Sequence, residues 1–306
     1  MVTDPFIIDG PCLWSFSGGR TSAYMLWRAL QAYGGQLPSD HVVAFANTGR
    51  EHDETLKFVD RCATHFGINV VWLEAVTRHN QRASSGHRIV SFETASRAGE
   101  PFEQMIQKYG IPNKSFLHCT RELKANAIKS YLQDGLGWLP NSYKTLIGIR
   151  ADEADRATNG AAGVEYPLVR AWVRKADVYS FWKRQPFDLY IPEELGNCLD
   201  CHKKSFRKLL TIAARQPEVF DWSRRMEAQY GLVGAEFRKL ERPAAGYRRV
   251  FFRNGMSADD IVARAKLPFE PFVDGRQAYD PDMDSSGGAC GEESCEIDDL
   301  FSGAAA

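Results

Sequence analysis

Short apolar runs recur along the first half of the chain, each closed by a polar turn and followed by helical spacing. Leu13-Trp14-Ser15-Phe16 runs into Ser17-Gly18-Gly19-Arg20-Thr21-Ser22, after which Tyr24, Met25, Trp27, Arg28 and Leu30 carry a helical pattern. A second apolar run covers His41 to Ala46. It ends in Asn47-Thr48-Gly49-Arg50-Glu51-His52-Asp53-Glu54, and a helix follows with Leu56, Val59, Cys62 and Phe66 on one face. A third strand is expected at Asn69 to Leu73. Strand, helix, strand, helix, strand in this order predicts an α/β architecture, a parallel sheet covered by helices. Ligands of such sheets sit at the carboxyl ends of the strands, so Ser17 to Ser22 and Ala46 to Gly49 should face one crevice.

The pattern weakens from Arg78 to Ile111, where Ser84-Ser85-Gly86 and Arg97-Ala98-Gly99 act as breakers. We read this stretch as an irregular, substrate-facing insertion with one helix at Phe102 to Tyr109. Leu117-His118-Cys119-Thr120-Arg121-Glu122-Leu123-Lys124 then opens a helix running towards Leu132. Arg121 and Lys124 are three apart and should share its face. Basic residues at a helix start oppose the dipole, a local cost that an anionic ligand removes. A fourth strand is expected at Tyr143 to Ile149, and a helix at Ala176 to Arg184.

The totals change this picture little. The chain has 306 residues, 44% of them hydrophobic, enough for a well-buried core and incompatible with disorder throughout. The formal charge of −1 names no partner, but its distribution is uneven. Lys203 to Arg253 holds 13 basic and 5 acidic residues, and Asp274 to Asp299 holds 9 acidic and 1 basic. The basic stretch fits nucleic acid (DNA or tRNA) or a polyphosphate, or equally a solvated helical surface. No apolar run approaches the ~18 residues of a membrane span, and Met1 to Gly10 carries no signal-peptide pattern, so no membrane partner and a cytoplasmic location are expected. Seven cysteines there read as thiols or metal ligands, not as a disulfide framework.

The glycine turn carries the chemistry. A strand ending in glycines at a helix start offers free backbone N–H groups and the positive end of the dipole, so a phosphate is the expected guest. Gly18 and Gly19 allow close approach, while Ser17, Thr21 and Ser22 add hydroxyl donors. The spacing is neither G-x-x-x-x-G-K-[ST] nor G-x-G-x-x-G. It resembles the PP-loop of the ATP pyrophosphatase and phosphoadenylyl sulfate (PAPS) reductase superfamily, in which Ser-Gly-Gly-x-[Asp/Thr]-Ser holds nucleotide phosphates. Further motifs follow in that family's order: Cys119 and Lys124 in Cys-x-x-x-x-Lys, Gly148-Ile149-Arg150-Ala151-Asp152-Glu153 with Arg156, Tyr166-Pro167-Leu168, and Phe187 to Pro192. The resemblance covers residues 12 to about 215 and is nearest to phage and DNA-phosphorothioation-type members. It implies a doubly wound PP-loop (adenine nucleotide alpha hydrolase-like) fold over residues 1–195, with a helical, basic, cysteine-containing region and acidic tail at 196–306.

The resemblance also implies roles. Ser17, Gly18, Gly19, Arg20, Thr21, Ser22, Gly148 and Arg156 would bind the nucleotide phosphates, and Asn47 and Thr48 the adenosine. Arg121, Lys124, Arg150 and Glu153 would act on the phosphates and Mg²⁺. In the adenylyl sulfate reductases a double cysteine at the position of Cys119 joins a downstream C-x-x-C to bind a 4Fe-4S cluster. Here His118 precedes the single Cys119, the C-x-x-C is Cys198 and Cys201, and Cys290 or Cys295 would complete the set. Four thiolates suit iron-sulfur or zinc, and a metal-free dithiol is the alternative. Cys12 and Cys62 fall in a strand and on an apolar helix face, as inert thiols.

Two reactions fit the crevice. In one, ATP is split to AMP and pyrophosphate to activate an acceptor for sulfur transfer from a sulfur-donor protein. In the other, adenylyl sulfate or phosphoadenylyl sulfate is reduced by a mobile cysteine. The reductases' Glu-Cys-Gly-Leu-His type of tail is replaced here by Ala289-Cys290-Gly291-Glu292, which favours the ATP-dependent reaction. A third reading is a regulator that binds nucleotide or nucleic acid without catalysis.

Overall fold

A computed structural model describes residues 4–79, 82–157, 163–234 and 247–274. Its centre is a six-stranded sheet: β1 (Cys12–Ser15), β2 (His41–Asn47), β3 (Val70–Val76), β4 (Gly86–Val90), β5 (Lys144–Leu146) and β6 (Val164–Glu165). The spatial order is β4-β3-β2-β1-β5-β6, parallel except for β4, which runs antiparallel to β3. β4 lies inside the stretch read from sequence as an irregular insertion. Arg88 and Ile89 of β4 are exposed, so this short edge strand lacks the apolar run of the buried strands. β6, two residues long, is likewise too short to leave a sequence signature.

Helices cover both faces, as a doubly wound α/β fold requires. On one face α1 (Arg20–Ala32) and α2 (Asp53–Phe66) pack over Cys12, Trp14, Val43, Phe45 and Trp72. On the other, Leu13, Ala44, Ala46 and Leu73 meet Ala125, Ile128 and Leu132. These alternating positions send successive side chains to opposite faces. The second face is covered by α4 (His118–Thr120), a π-helical turn (Arg121–Ala125), α5 (Asn126–Ser130) and another π-helical turn (Tyr131–Gly135). A further helix, α3 (Glu100–Tyr109), begins two residues before its expected start, with Pro101 in its first turn.

Beyond β5 come a 3₁₀ turn (Ala151–Arg156), α6 (Pro167–Arg170) and α7 (Lys175–Trp182). The described part of the remainder carries three further α-helices, α8 (Phe206–Arg215), α9 (Asp221–Tyr230) and α10 (Ala258–Arg264). One apolar core runs across position 195, joining Trp14, Leu26 and Phe58 to Leu209, Ile212, Phe220, Met226 and Phe252. The chain after Gly196 returns to the sheet, where Cys198 bridges Glu51 and the Leu199 N–H donates to the Arg50 carbonyl at 2.9 Å. This contact brings the C-x-x-C segment to the carboxyl end of β2. Among the described residues no helix is long and apolar enough to cross a membrane.

Candidate functional site

The strand order reverses at β1, whose neighbours are β2 on one side and β5 on the other. That reversal opens a crevice at the carboxyl ends of the strands, and the residues that leave β1 are Ser17 to Ser22. Gly18 has φ +83°, and a Cβ there would stand 2.8 Å from Thr55 Cγ2 and 3.1 Å from the Phe45 ring. Both conformation and space demand glycine. Gly19 is the N-cap of α1 and supplies no side-chain cap, and no acid sits in the first turn. The leading N–H groups of this buried helix start are therefore suited to an anion.

Ser17 and Ser22 hydroxyls lie 2.9 Å apart, and Ser22 Oγ also donates to the Gly19 carbonyl at 3.1 Å, which fixes the loop. The exit of β5 closes on the same turn, because a Cβ on Gly148 would stand 3.1 Å from Ser22 Cα. Two residues later Arg150, 4% exposed, donates from Nη1 to Thr21 Oγ1 at 3.0 Å. Its other nitrogens meet Asp152 Oδ1 and Glu153 Oε2, each at 3.2 Å, and Arg156 holds Glu153 at 2.8 Å. The structure thus unites Ser17, Gly18, Gly19, Thr21, Ser22, Gly148, Arg150, Glu153 and Arg156. Arg20 lines the cleft beside the loop and forms an ion pair with Asp188 at 2.7 Å.

At the end of β2, Asn47 is fully buried. Its amide donates to Glu74 Oε1 at 2.6 Å and to the Ser96 carbonyl, and its Oδ1 accepts from the Gly49 N–H. The side chain expected at adenine therefore shapes the strand end. Thr48 Oγ1 donates to Glu51 and lies 3.4 Å from Cys198 Sγ. Lys124 Nζ approaches Glu51 Oε1 at 3.8 Å, while Arg121 is half-exposed and pairs with Glu122 at 3.0 Å. The two cations do not share a face as an α-helix would dictate. Residues 121–125 form a π-helical turn, whose i→i+5 bonding breaks the three-residue register.

A second cleft, about 430 Å³, lies on the other side of the returning segment. Cys119, Cys198, Cys201, His202, Lys124 and Phe102 are among its lining residues. His202 is buried, and burial pushes its imidazole down to about 3, so it is neutral. His118 donates from Nε2 to the Gly110 carbonyl at 3.0 Å, and burial lowers its pKa as well. Cys119, Cys198 and Cys201, expected as metal ligands, all line this one cleft. Even so, no group of three His, Cys, Asp or Glu side chains among the described residues is placed to hold a metal ion. Cys290 and Cys295 lie outside the described residues. The described donors alone do not fit a 4Fe-4S cluster or zinc. Cys12 and Cys62 are buried thiols whose pKa burial raises, to about 12 for Cys12, which disfavours the reactive thiolate.

Sequence reasoning missed Thr55, Glu51, Asp188 and Asp200. Thr55 lines the cleft beside the loop, and Glu51 ties Thr48 to Lys124. Asp188 sits within a segment already noted, but its pairing with Arg20 spans 168 positions and has no local signal.

A glycine loop at a topological switch point, closed by a buried arginine from the neighbouring strand, defines a nucleotide-binding α/β protein. Residues 11–162 match the phosphoadenosine phosphosulfate reductase domain family, and the chain belongs to the PAPS reductase-like PP-loop superfamily. It is similar to the nin region protein ORF290 of Escherichia phage lambda, at 34% identity over 290 residues that cover 92% of this chain and 93% of the phage protein. It also resembles protein MJ0066 of Methanocaldococcus jannaschii, at 28% identity over 49% of this chain and 25% of the archaeal one.

Proposed function

We propose that the chain binds ATP with its phosphates on Ser17 to Ser22 and splits it between the α and β phosphates, activating an acceptor for sulfur transfer. The observation that carries this reading is Arg150. A buried guanidinium fixed to Thr21 at the uncapped start of α1 places positive charge where a phosphate approaches the loop. An acceptor oxygen attacks the α-phosphorus, the bond to the bridging oxygen breaks, and pyrophosphate leaves with Mg²⁺ brought by the nucleotide. A sulfur donor then displaces AMP from the acceptor. In this scheme the loop N–H groups and Arg150 offset the charge that grows on the phosphate oxygens. The cysteine cleft is assigned no step.

Several described cations of the basic run 203–253 are paired within the chain. Lys208 pairs with Glu193, Arg215 with Glu194, Arg207 with Glu270, and Arg224 with Asp221 and Asp259.

The matched family supplies a second reading, release of sulfite from adenylyl sulfate or phosphoadenylyl sulfate with a thiol as reductant. The products separate the two. ATP with Mg²⁺ should release pyrophosphate, and adenylyl sulfate with reduced thiol should release no sulfite. Sulfite without pyrophosphate would replace the first reading by the second.

A further inference from the structure

Thr55 belongs to the first turn of α2 yet lines the cleft of about 310 Å³ that also takes in Ser17, Gly18 and Arg20. It is 3% exposed, and its Oγ1 is buried with no hydrogen-bond partner among the described residues. A buried hydroxyl normally finds a partner, so one left without it in a cleft marks a place where a ligand can supply the missing acceptor. The side chain is also held in position. Its Cγ2 packs against Gly18, so closely that a Cβ on that glycine would come within 2.8 Å.

The neighbouring donors are already committed. Ser17 and Ser22 bond to each other, Ser22 to Gly19, and Arg20 to Asp188. Thr55 is the hydroxyl on this wall with an unspent proton. We infer that Thr55 donates a hydrogen bond to a phosphate oxygen of the nucleotide on the glycine loop, making α2 a second contributor to the phosphate subsite. This rests on the proposed nucleotide site and names a contact within it.

The test compares Thr55→Val, which keeps the branched shape and the packing on Gly18, with Thr55→Ser, which keeps the hydroxyl. Calorimetric titrations use ATP, inorganic pyrophosphate and adenosine as separate probes, and unfolding midpoints are taken without nucleotide. The expected result is that Thr55→Val weakens ATP and pyrophosphate binding about tenfold, in line with a hydrogen bond to a charged acceptor. Adenosine binding should be unchanged, and Thr55→Ser should stay within about threefold of wild type for all probes. The unliganded Thr55→Val protein should unfold at the same temperature or higher, since valine removes an unsatisfied polar group without leaving a void. Equal ATP and pyrophosphate affinities for wild type and Thr55→Val would overturn the inference alone and assign the residue to packing. A wild type that binds no adenine nucleotide and no pyrophosphate would overturn the proposed function and this contact together.

Discussion

Glu227 shows how far a single side chain's role depends on burial that sequence does not display. Its carboxylate accepts from the Phe251 N–H at 3.0 Å and the Ala258 N–H at 2.9 Å, tying α9 to the chain around α10. Burial pushes its pKa from 4.5 up to about 7, against the lowering pull of those two donors. A group that holds its proton more tightly when folded contributes stability that is full below pH 4.5 and is lost as the pH rises through about 7. His202 acts with the opposite sign: burial lowers its pKa, so its contribution is full above pH 6.5 and is lost as the pH falls towards about 3. Thermal unfolding of wild type and Glu227→Gln at pH 5 and pH 7.5 should show the wild type's advantage shrinking at the higher pH; a difference independent of pH would contradict the assignment. At this scale Ser17, Gly18 and Arg150 were legible because motif spacing encodes a backbone turn and its cation. Thr55 and Glu227 were not, since neither stands in a pattern that reveals burial or an unmet hydrogen bond.

Among elements, the returning segment after Gly196 matters most to the site, because it lines both the cleft at the glycine loop and the cysteine cleft. Asp200 anchors it. This buried carboxylate accepts from Arg50 Nη2 at 3.0 Å and from the Ser223 hydroxyl, while the Arg50 guanidinium lies 4.6 Å from the Trp222 ring centroid. Removing one partner of a buried pair leaves the other charge without compensation, at a cost of about 3 to 5 kcal/mol. Asp200→Ala should therefore lower the denaturant midpoint strongly and speed the reaction of Cys198 and Cys201 with a thiol reagent. An unchanged midpoint and unchanged thiol reactivity would show that the segment is held by other contacts. The parallel strands β1 to β3 and their helices were readable as apolar runs and helical faces. β4 and β6 were not, one being a half-exposed edge and the other very short. The offset between Arg121 and Lys124 was also hidden, because a π-helical turn has the same composition as an α-helical one.

For the whole molecule, fold class and family follow from several motifs in one order, whereas the chemistry depends on groups far apart in sequence. The cysteines illustrate this. Cys119, Cys198 and Cys201 reach one cleft, but no three described donors are placed to hold a metal ion. The reading in which Cys290 or Cys295 completes a metal site expects a full-length protein with both changed to serine, prepared without oxygen, to be colourless and free of iron and zinc. Metal retained at one equivalent or more in that variant would contradict that reading. The central claim is that an adenine nucleotide binds on the glycine loop with Arg150 at its phosphates. Its most direct test is a calorimetric titration of ATP with Mg²⁺ into wild type and Arg150→Ala. The account predicts saturable binding to wild type and a loss of roughly tenfold or more in the variant, the effect of about 1.5 to 3 kcal/mol expected for a charge-assisted bond. Equal affinity in the two proteins, or no binding to either, would contradict it.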